Sequence, residues 1–129
     1  MKFKSTNDVR KWFRNLPVVK NELMLKIKFY REISEELQKT QDFEKMLERY
    51  KKGVVKLSEK LERLTKDADE LLSYLEEHER LIMTARYINV IRWDFIEFKV
   101  FYSRRQAIRI HDKALEKLVG KTVGDTYEP

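Results

Sequence analysis

Residues 102–118, with the sequence YSRRQAIRIHDKALEKL, carry a clear amphipathic helix pattern near the C-terminus of the chain. Ser103 is a good N-cap, because its hydroxyl can accept a hydrogen bond from a backbone N–H of the first turn. Apolar residues then recur at helical spacing along one face: Ala107, Ile110, Ala114, Leu115 and Leu118. The stretch therefore predicts a helix that buries one side against a core.

The other side of this predicted helix is cationic. Four of the five residues that fall largely off the apolar face are positively charged: Arg104, Arg105, Gln106, Arg109 and Lys113. Arg and Gln side chains at the start of a helix are those that reach phosphates and base edges in the major groove of DNA. The stretch therefore favours an anionic partner, with an ordinary solvated surface as the alternative interpretation.

The composition favours one helical domain, or one small domain with a long helical appendage. The chain has 129 residues, of which 39% are charged and 42% hydrophobic, with 3 Gly and 2 Pro. The absence of cysteine excludes disulfides, a thiolate zinc site and a cysteine nucleophile. No apolar run approaches the roughly 20 residues that span a bilayer, so we expect no membrane partner.

The net charge of +6 is unevenly distributed along the chain. Residues 1–41 hold 10 basic and 5 acidic side chains, residues 42–80 hold 9 and 11, and residues 81–129 hold 9 and 6. The two ends are therefore basic and the middle is slightly acidic. This distribution permits contact with nucleic acid at either end.

The N-terminal part predicts two helices separated at Pro17. A short first helix, capped by Thr6 or Asn7, runs to Leu16, and a second helix restarts at Pro17 and runs to about Gln38. The second helix carries two apolar stripes, one with Val19, Leu23, Ile27, Tyr30 and Leu37, the other with Leu25, Phe29 and Ile33. We expect the second stripe to face the C-terminal domain or a second subunit.

The third predicted helix has a heptad pattern and pairs with the second as an antiparallel hairpin. Residues 39–41 read as the connection, with Thr40 as N-cap, and the apolar positions that follow alternate by four and three: Phe43, Leu47, Tyr50, Val54, Leu57, Leu61 and Leu64. Asp67 and Glu70 fit a capping box that starts a new helix. The alternative is one unbroken helix from Asp42 to about Asn89.

Three consecutive segments resemble a known DNA-binding region: residues 75–88 (LEEHERLIMTARYI), 93–100 (WDFIEFKV) and 102–118. Their order and spacing are similar to region 4 of sigma factors, the C-terminal promoter-binding region that contacts the −35 element. With its helical N-terminal half, the chain resembles the small phage regulators of the RinA/ArpU type. Those proteins are sigma-region-like activators of late genes in phages of Gram-positive bacteria.

The resemblance implies a helix-turn-helix whose second helix enters the major groove. It assigns base contacts to Arg104, Arg105, Gln106 and Arg109, and phosphate contacts to Ser103, Arg92, Lys99 and Lys113. It also implies double-stranded DNA as the partner, RNA polymerase and a second copy of the chain as further candidates, and a location at the nucleoid in the bacterial cytoplasm. Neither enzymatic activity nor a metal or other cofactor is implied, and His111 reads as a packing or phosphate-contacting residue.

Three positions depart from the family pattern. Glu97 stands where the family has a small residue, Phe101 where it has the turn glycine, and Val90 where it has a second glycine. We expect Asn89 to take the left-handed conformation in place of Val90, and the turn at Phe101 to be remodelled or filled by its side chain. A degenerate helix-turn-helix that binds RNA polymerase or another regulator without DNA is the alternative function. A basic amphipathic helix lying on a membrane is a third interpretation, but the exposed Phe or Trp face that it needs is better explained as core, so no membrane partner is expected.

The sequence thus predicts an all-α protein with three parts. Residues 1–66 form a helical hairpin, a coiled-coil-like arm for dimerisation or polymerase contact. Residues 67–120 form the sigma-region-4-like helix-turn-helix domain, and residues 121–129 form a flexible tail. The predicted core of the domain includes Leu81, Ile82, Ala85 and Ile88.

Overall fold

The computed structural model describes residues 1–36 and 43–124, and these residues are helical as predicted. They form five α-helices, α1 (Thr6–Glu36), α2 (Phe43–Leu72), α3 (Glu77–Met83), α4 (Trp93–Val100) and α5 (Arg104–Leu118). A π-helical turn, Thr84–Ile88, continues α3. Strand-like pairing in the described part is limited to an isolated antiparallel bridge between Lys2 and Thr122. None of the described helices combines the length and apolar character needed to cross a bilayer.

The chain divides into two compact units, and the division differs from the predicted one at residue 66. The core unit comprises residues 1–17 and the described residues from 64 onward, and the arm comprises the described residues of 18–63. The first 17 residues therefore belong with the C-terminal helices. The sequence pattern had assigned them to the hairpin, because heptad spacing reports a helix face but not its partner.

Aromatic packing explains why the N-terminus belongs to the core unit. Phe13 is fully buried, with its ring centroid 5.0 Å from that of Trp12 and 5.5 Å from that of Tyr87 in the π-helical turn. The Tyr87 ring in turn lies 5.6 Å from the ring of His111 on α5. The start of α1 and the predicted DNA-contacting helix are thus connected through one stack of buried rings.

The chain ends are paired, which corrects the prediction that the tail is flexible from residue 121 onward. The backbone N–H of Phe3 donates to the carbonyl of Lys121 at 2.9 Å, and that of Val123 donates to the carbonyl of Met1 at 2.8 Å. Phe3 and Val123 are both buried. Their burial and the backbone hydrogen bonds hold residues 121–124 in place, whereas residues 125–129 lie outside the described part.

The predicted helix break at Pro17 is wrong, because α1 continues through it. Proline removes one backbone donor, but Leu16 and Val19 on either side are both buried and extend the same apolar face. The helix begins at Thr6, so Ser5 takes the cap position that was predicted for Thr6 or Asn7. Ser5 Oγ accepts from the Asp8 N–H at 3.3 Å, and the Asp8 carboxylate accepts from the Lys4 N–H at 2.9 Å.

Neither prediction for the middle of the chain was correct. α2 passes through Asp67 without the predicted restart and ends at Leu72, well short of Asn89. Its buried residues Leu64, Ala68 and Leu71 recur at helical spacing on both sides of Asp67, so packing on one apolar face favours a continuous helix here. α3 then begins with its own capping box, formed by Glu76 and Glu79. The predicted cap at Thr40 and the connection at 39–41 lie outside the described residues.

The core against which α5 packs is small and draws on three elements. Its buried members are Ile82, Ala85, Ile96, Val100 and Ala107. Leu81 and Ile88, which were predicted to join it, are exposed, whereas Met83 and Tyr87 are buried. The π-helical turn explains why Tyr87 is buried in place of Ile88, because its wider hydrogen bond, from the Asn89 N–H to the Thr84 carbonyl at 2.9 Å, changes which residues share a face. Leu81 precedes this turn and lies in α3, where Ile82 and Met83 are the buried apolar residues.

Candidate nucleic-acid interface

The N-terminus of α5 has the cap that the sequence predicted. Ser103 Oγ accepts a hydrogen bond from the Gln106 N–H at 3.2 Å. The Gln106 side-chain oxygen accepts one from the Ser103 N–H at 3.1 Å, completing a capping box. The Gln106 side chain is therefore partly committed to the cap, and its amide N–H₂ group is what it can offer to a ligand.

The two sides of α5 are sharply different in burial. Its inner side is buried in the core unit through Ala107, His111, Ala114, Leu115 and Leu118. Its outer side carries Arg105, Arg109 and Lys113, all exposed and spaced by four residues, so they form one row along the helix. We call these three residues the basic row. The inner contacts fix the orientation of α5, so the outer cations stand on a rigid support.

Arg104 differs from the basic row because it is paired within the protein. Its Nη1 lies 3.0 Å from Asp94 Oδ1 on α4, and Arg92 Nη2 lies 3.7 Å from Asp94 Oδ2. The structure thus brings together one predicted base-contacting residue and one predicted phosphate-contacting residue around a single carboxylate. All three side chains are exposed, so these ion pairs are weak and an anionic ligand can compete for both arginines.

The remaining predicted phosphate contacts lie on the surface of the core unit. Ser103, Lys99 near the end of α4 and Lys113 on α5 are all exposed. With Arg92 just before α4, every predicted contact belongs to α4, α5 or the residue that precedes one of them. The acidic residues Asp112 and Glu116 are also exposed on α5, so the surface is basic but not uniformly so.

A buried carboxylate anchors the far end of α5. Lys117 Nζ donates to Glu79 Oε1 at 2.7 Å, and the Glu76 N–H donates to the same oxygen at 2.9 Å. Burial raises the pKa of Glu79, but the hydrogen bonds from Lys117 and Glu76 and the charge of Lys117 outweigh it and leave that pKa below its ordinary 4.5. Glu79 therefore remains ionised at neutral pH and holds α3 against α5.

His111 is a packing residue where α5 meets the π-helical turn. The Tyr87 hydroxyl lies 2.6 Å from His111 Nε2, and His111 Nδ1 lies 3.0 Å from Asp112 Oδ1. Because a carboxylate only accepts, Nδ1 carries the proton and Nε2 accepts from Tyr87. Burial lowers the pKa of His111, the nearby charges of Arg10 and Arg86 lower it further, and Asp112 opposes them. The neutral ring is therefore the form that the fold favours.

We expect the free energy of unfolding of the core unit to decrease as the pH is lowered below about 6.5. Because His111 has its pKa lowered from 6.5 in the folded state, only the unfolded chain takes up the proton as the pH drops below that value. The loss is at most about 1.4 kcal/mol of unfolding free energy per pH unit. Urea titrations between pH 7.5 and 5 measure it. His111→Gln should remove the slope, and an unchanged slope in that variant would count against the assignment.

Two turns beside the interface use non-glycine residues in the left-handed conformation. Val90 has φ 54° and Phe101, between α4 and α5, has φ 59°. Asn89, which was predicted to take this conformation, has φ −88° instead. The Ile91 N–H donates to the Ala85 carbonyl at 2.9 Å, and Arg86 Nη1 donates to the Ile91 carbonyl at 3.2 Å. These two bonds hold the chain beyond Val90 against the π-helical turn.

Phe101→Gly and Val90→Gly are each expected to stabilise the protein. The left-handed conformation costs an L-residue about 1–2 kcal/mol, and the greater freedom of glycine when unfolded offsets roughly 0.5–1 kcal/mol of that gain. Each change should therefore raise the free energy of unfolding by about 0.5–1 kcal/mol, as measured by urea titration. Asn89→Gly is the matched control and should lower it, because Asn89 has a negative φ; no difference between Phe101→Gly and Asn89→Gly would contradict the argument.

Three exposed phenylalanines lie on α4 and at its C-cap. Phe98 is 72% exposed and Phe101 is 96% exposed, and Phe95 on the same helix is also exposed. The expectation that Phe101 fills space in the turn is therefore wrong, since its side chain points into solvent. We call Phe95, Phe98 and Phe101 the aromatic patch. Large apolar side chains clustered on a surface are typical of contact sites for other proteins.

Comparison with protein-family models, with curated proteins and with solved structures found no match to this chain. Within residues 1–36 and 43–124, no group of three or more His, Cys, Asp or Glu side chains is placed to hold a metal ion.

Sequence reasoning missed the residues that position the interface. Asp94, Glu79 and Tyr87 each contact a partner that is at least ten residues away along the chain. Only Glu79 gave a local signal, because the Glu76–Glu79 spacing fits a capping box. Periodicity within one helix contains no information about the ion pair between Asp94 and Arg104 or the bond between Tyr87 and His111.

Proposed function

We propose that this protein is a sequence-specific DNA-binding transcription regulator in which α4 and α5 act as a helix-turn-helix. The observation that carries the proposal is the basic row on the outer side of a capped helix whose inner side is buried. The resemblance to sigma factor region 4 and to RinA/ArpU-type regulators supports it. By that resemblance the protein is phage-encoded, activates transcription and works at the nucleoid in the cytoplasm of a bacterial host.

In this proposal α5 enters the major groove and α4 crosses the backbone. Arg104, Arg105, Gln106 and Arg109 meet base edges. Arginine offers the paired donors that O6 and N7 of guanine accept, and the Gln106 amide N–H₂ group can donate to N7 of a purine. Four residues bind phosphates and fix the register without reading sequence: Ser103, Arg92, Lys99 and Lys113. DNA phosphates then replace Asp94 as the partner of Arg92.

A footprint on the genomic region upstream of the protein's own gene tests the proposal. We expect one protected site, or two related half-sites, and a gel-shift affinity that falls by about three orders of magnitude between 50 and 200 mM salt if about six phosphates are neutralised. A matched fragment of shuffled sequence is the control. Binding that is insensitive to salt, or equal on both fragments, would contradict sequence-specific recognition.

The aromatic patch favours a second candidate function, a protein-interaction module that binds RNA polymerase or another regulator without DNA. The described residues leave the side chains of Phe95, Phe98 and Phe101 exposed. The Phe95→Ser/Phe98→Ser variant should lose co-purification with polymerase if this function is correct. Co-purification of the wild type together with no shift of any upstream fragment would favour this candidate over DNA recognition.

A further inference from the structure

The arm lacks an interior of its own. Among the described residues of the arm, Val19 is buried next to the boundary at residue 17 and no side chain from 20 to 63 is buried, whereas the core unit buries residues from every helix that it contains. Two amphipathic helices that pack only on one another leave part of each apolar stripe in water. The apolar surface of the arm therefore needs further cover, as the second stripe of the sequence pattern had suggested.

Four of the seven large apolar side chains that are exposed on the described part of the arm line one groove. The groove has a volume of about 700 Å³, and its apolar lining is Leu25 and Phe29 from α1 with Met46 and Tyr50 from α2. All four side chains are exposed, Leu25 by 55% and Phe29 by 52%. We call these four residues the arm groove. Apolar surface of this extent is comparable to the largest apolar patch of an ordinary monomer, which is often a binding site.

We propose that the arm groove is where a second copy of this chain docks, giving a two-fold symmetric dimer through a four-helix bundle. Closing two helix pairs face to face creates the interior that each lacks alone. With side chains of roughly 200 Å² about half exposed, the arm groove offers roughly 400 Å² of apolar surface per copy. A standard interface of about 800 Å² per partner contains roughly 450–500 Å² of apolar surface, so the arm groove can supply most of it.

The charges at the edge of the groove favour a second copy over a nucleic acid or an acidic peptide. The groove is lined by exposed Glu22 as well as by exposed Lys26 and Arg49. In a two-fold interface the same surface meets itself, so both signs must be present for opposite charges to face one another. A uniformly basic groove would repel its own copy, and this groove is not uniformly basic.

Measurement of the mass in solution tests the dimer without any DNA, so its outcome is separate from that of DNA binding. At about 20 µM, we expect the full chain to have close to twice its 15.8 kDa mass by sedimentation equilibrium. Leu25→Glu/Phe29→Glu should return the mass to that of one chain without loss of helical circular dichroism, since both side chains are solvent-exposed in the single chain.

The matched control is Met24→Glu/Val55→Glu. These side chains are 60% and 46% exposed but line other surfaces of the arm, so the control variant should remain a dimer. A wild type with the mass of one chain at up to about 100 µM overturns the proposal and leaves the groove to a foreign protein helix. Equal dissociation of both double variants also overturns it.

Cross-linking gives a second measurement that does not depend on disruptive substitutions. The chain contains no cysteine, so a single introduced thiol is unique. A short bismaleimide should join two chains of Tyr50→Cys, within the arm groove, and should not join chains of Met24→Cys outside it. Cross-linking of the Met24→Cys variant as efficient as that of Tyr50→Cys would overturn the assignment of this surface.

Discussion

Arg105→Ala/Arg109→Ala is expected to lower the affinity for the protein's DNA site by roughly 100-fold or more. A base-contacting arginine contributes about 1–3 kcal/mol, and these two lie one turn apart on the outer side of α5. Arg104→Ala should cost less than Arg105→Ala, although the sequence ranked them equally. Arg104 is held by Asp94 at 3.0 Å, and part of its interaction with DNA replaces that ion pair.

Two controls separate base reading from bulk electrostatics. Lys11→Ala/Lys66→Ala removes the same charge from exposed positions of the core unit and should change the affinity only slightly. Arg105→Lys/Arg109→Lys keeps the charge but loses the bidentate donors, so it should reduce the preference for the specific site while preserving most non-specific binding. Full site affinity in the double alanine variant, measured by fluorescence anisotropy at fixed salt, would refute the assignment of α5.

Phe13→Ala is expected to destabilise the core unit by about 3–5 kcal/mol, the usual cost of removing a buried phenyl ring. Phe13 is fully buried and packs on Trp12 and Tyr87. Both tryptophans, Trp12 and Trp93, lie in the core unit, so urea unfolding followed by tryptophan fluorescence reports on this unit alone. A weakened core unit should also bind DNA less well, because α5 loses its support.

Phe98→Ala is the matched control for this effect. It makes the same substitution within the core unit at a side chain that is 72% exposed, and its cost should stay within about 0.5 kcal/mol. The isolated fragment 67–120, the domain predicted from sequence, should fail to fold because it lacks Phe3, Val9 and Phe13. A cooperative unfolding transition of that fragment, or a cost below 1 kcal/mol for Phe13→Ala, would show that residues 1–17 are dispensable.

In the two proposals the core unit binds DNA and the arm forms the dimer. Pairing through the arm groove would bring two copies of α5 to one DNA molecule, and a dimer of this kind binds paired half-sites. The footprint and the mass measurement answer separate questions. A monomer that protects one site supports the DNA proposal alone, and a dimer that protects none supports the arm groove alone.

The sequence alone determined the features that depend on one helix at a time. Ser103 as N-cap, the apolar face of α5 and its exposed basic side follow from residues within a few turns of one another, because capping and helical periodicity are local. The all-helical class followed from composition and spacing in the same way.

Only the tertiary structure decided which surfaces meet. The packing of residues 1–17 on the C-terminal helices, the ion pair between Asp94 and Arg104, and the buried bond between Tyr87 and His111 all join segments that are distant along the chain. The π-helical turn and the positive φ of Val90 likewise have no local preference behind them, so contacts with the surrounding core must impose them. Helical spacing shows that a helix has a buried face, but the packing of the whole unit decides which element covers that face.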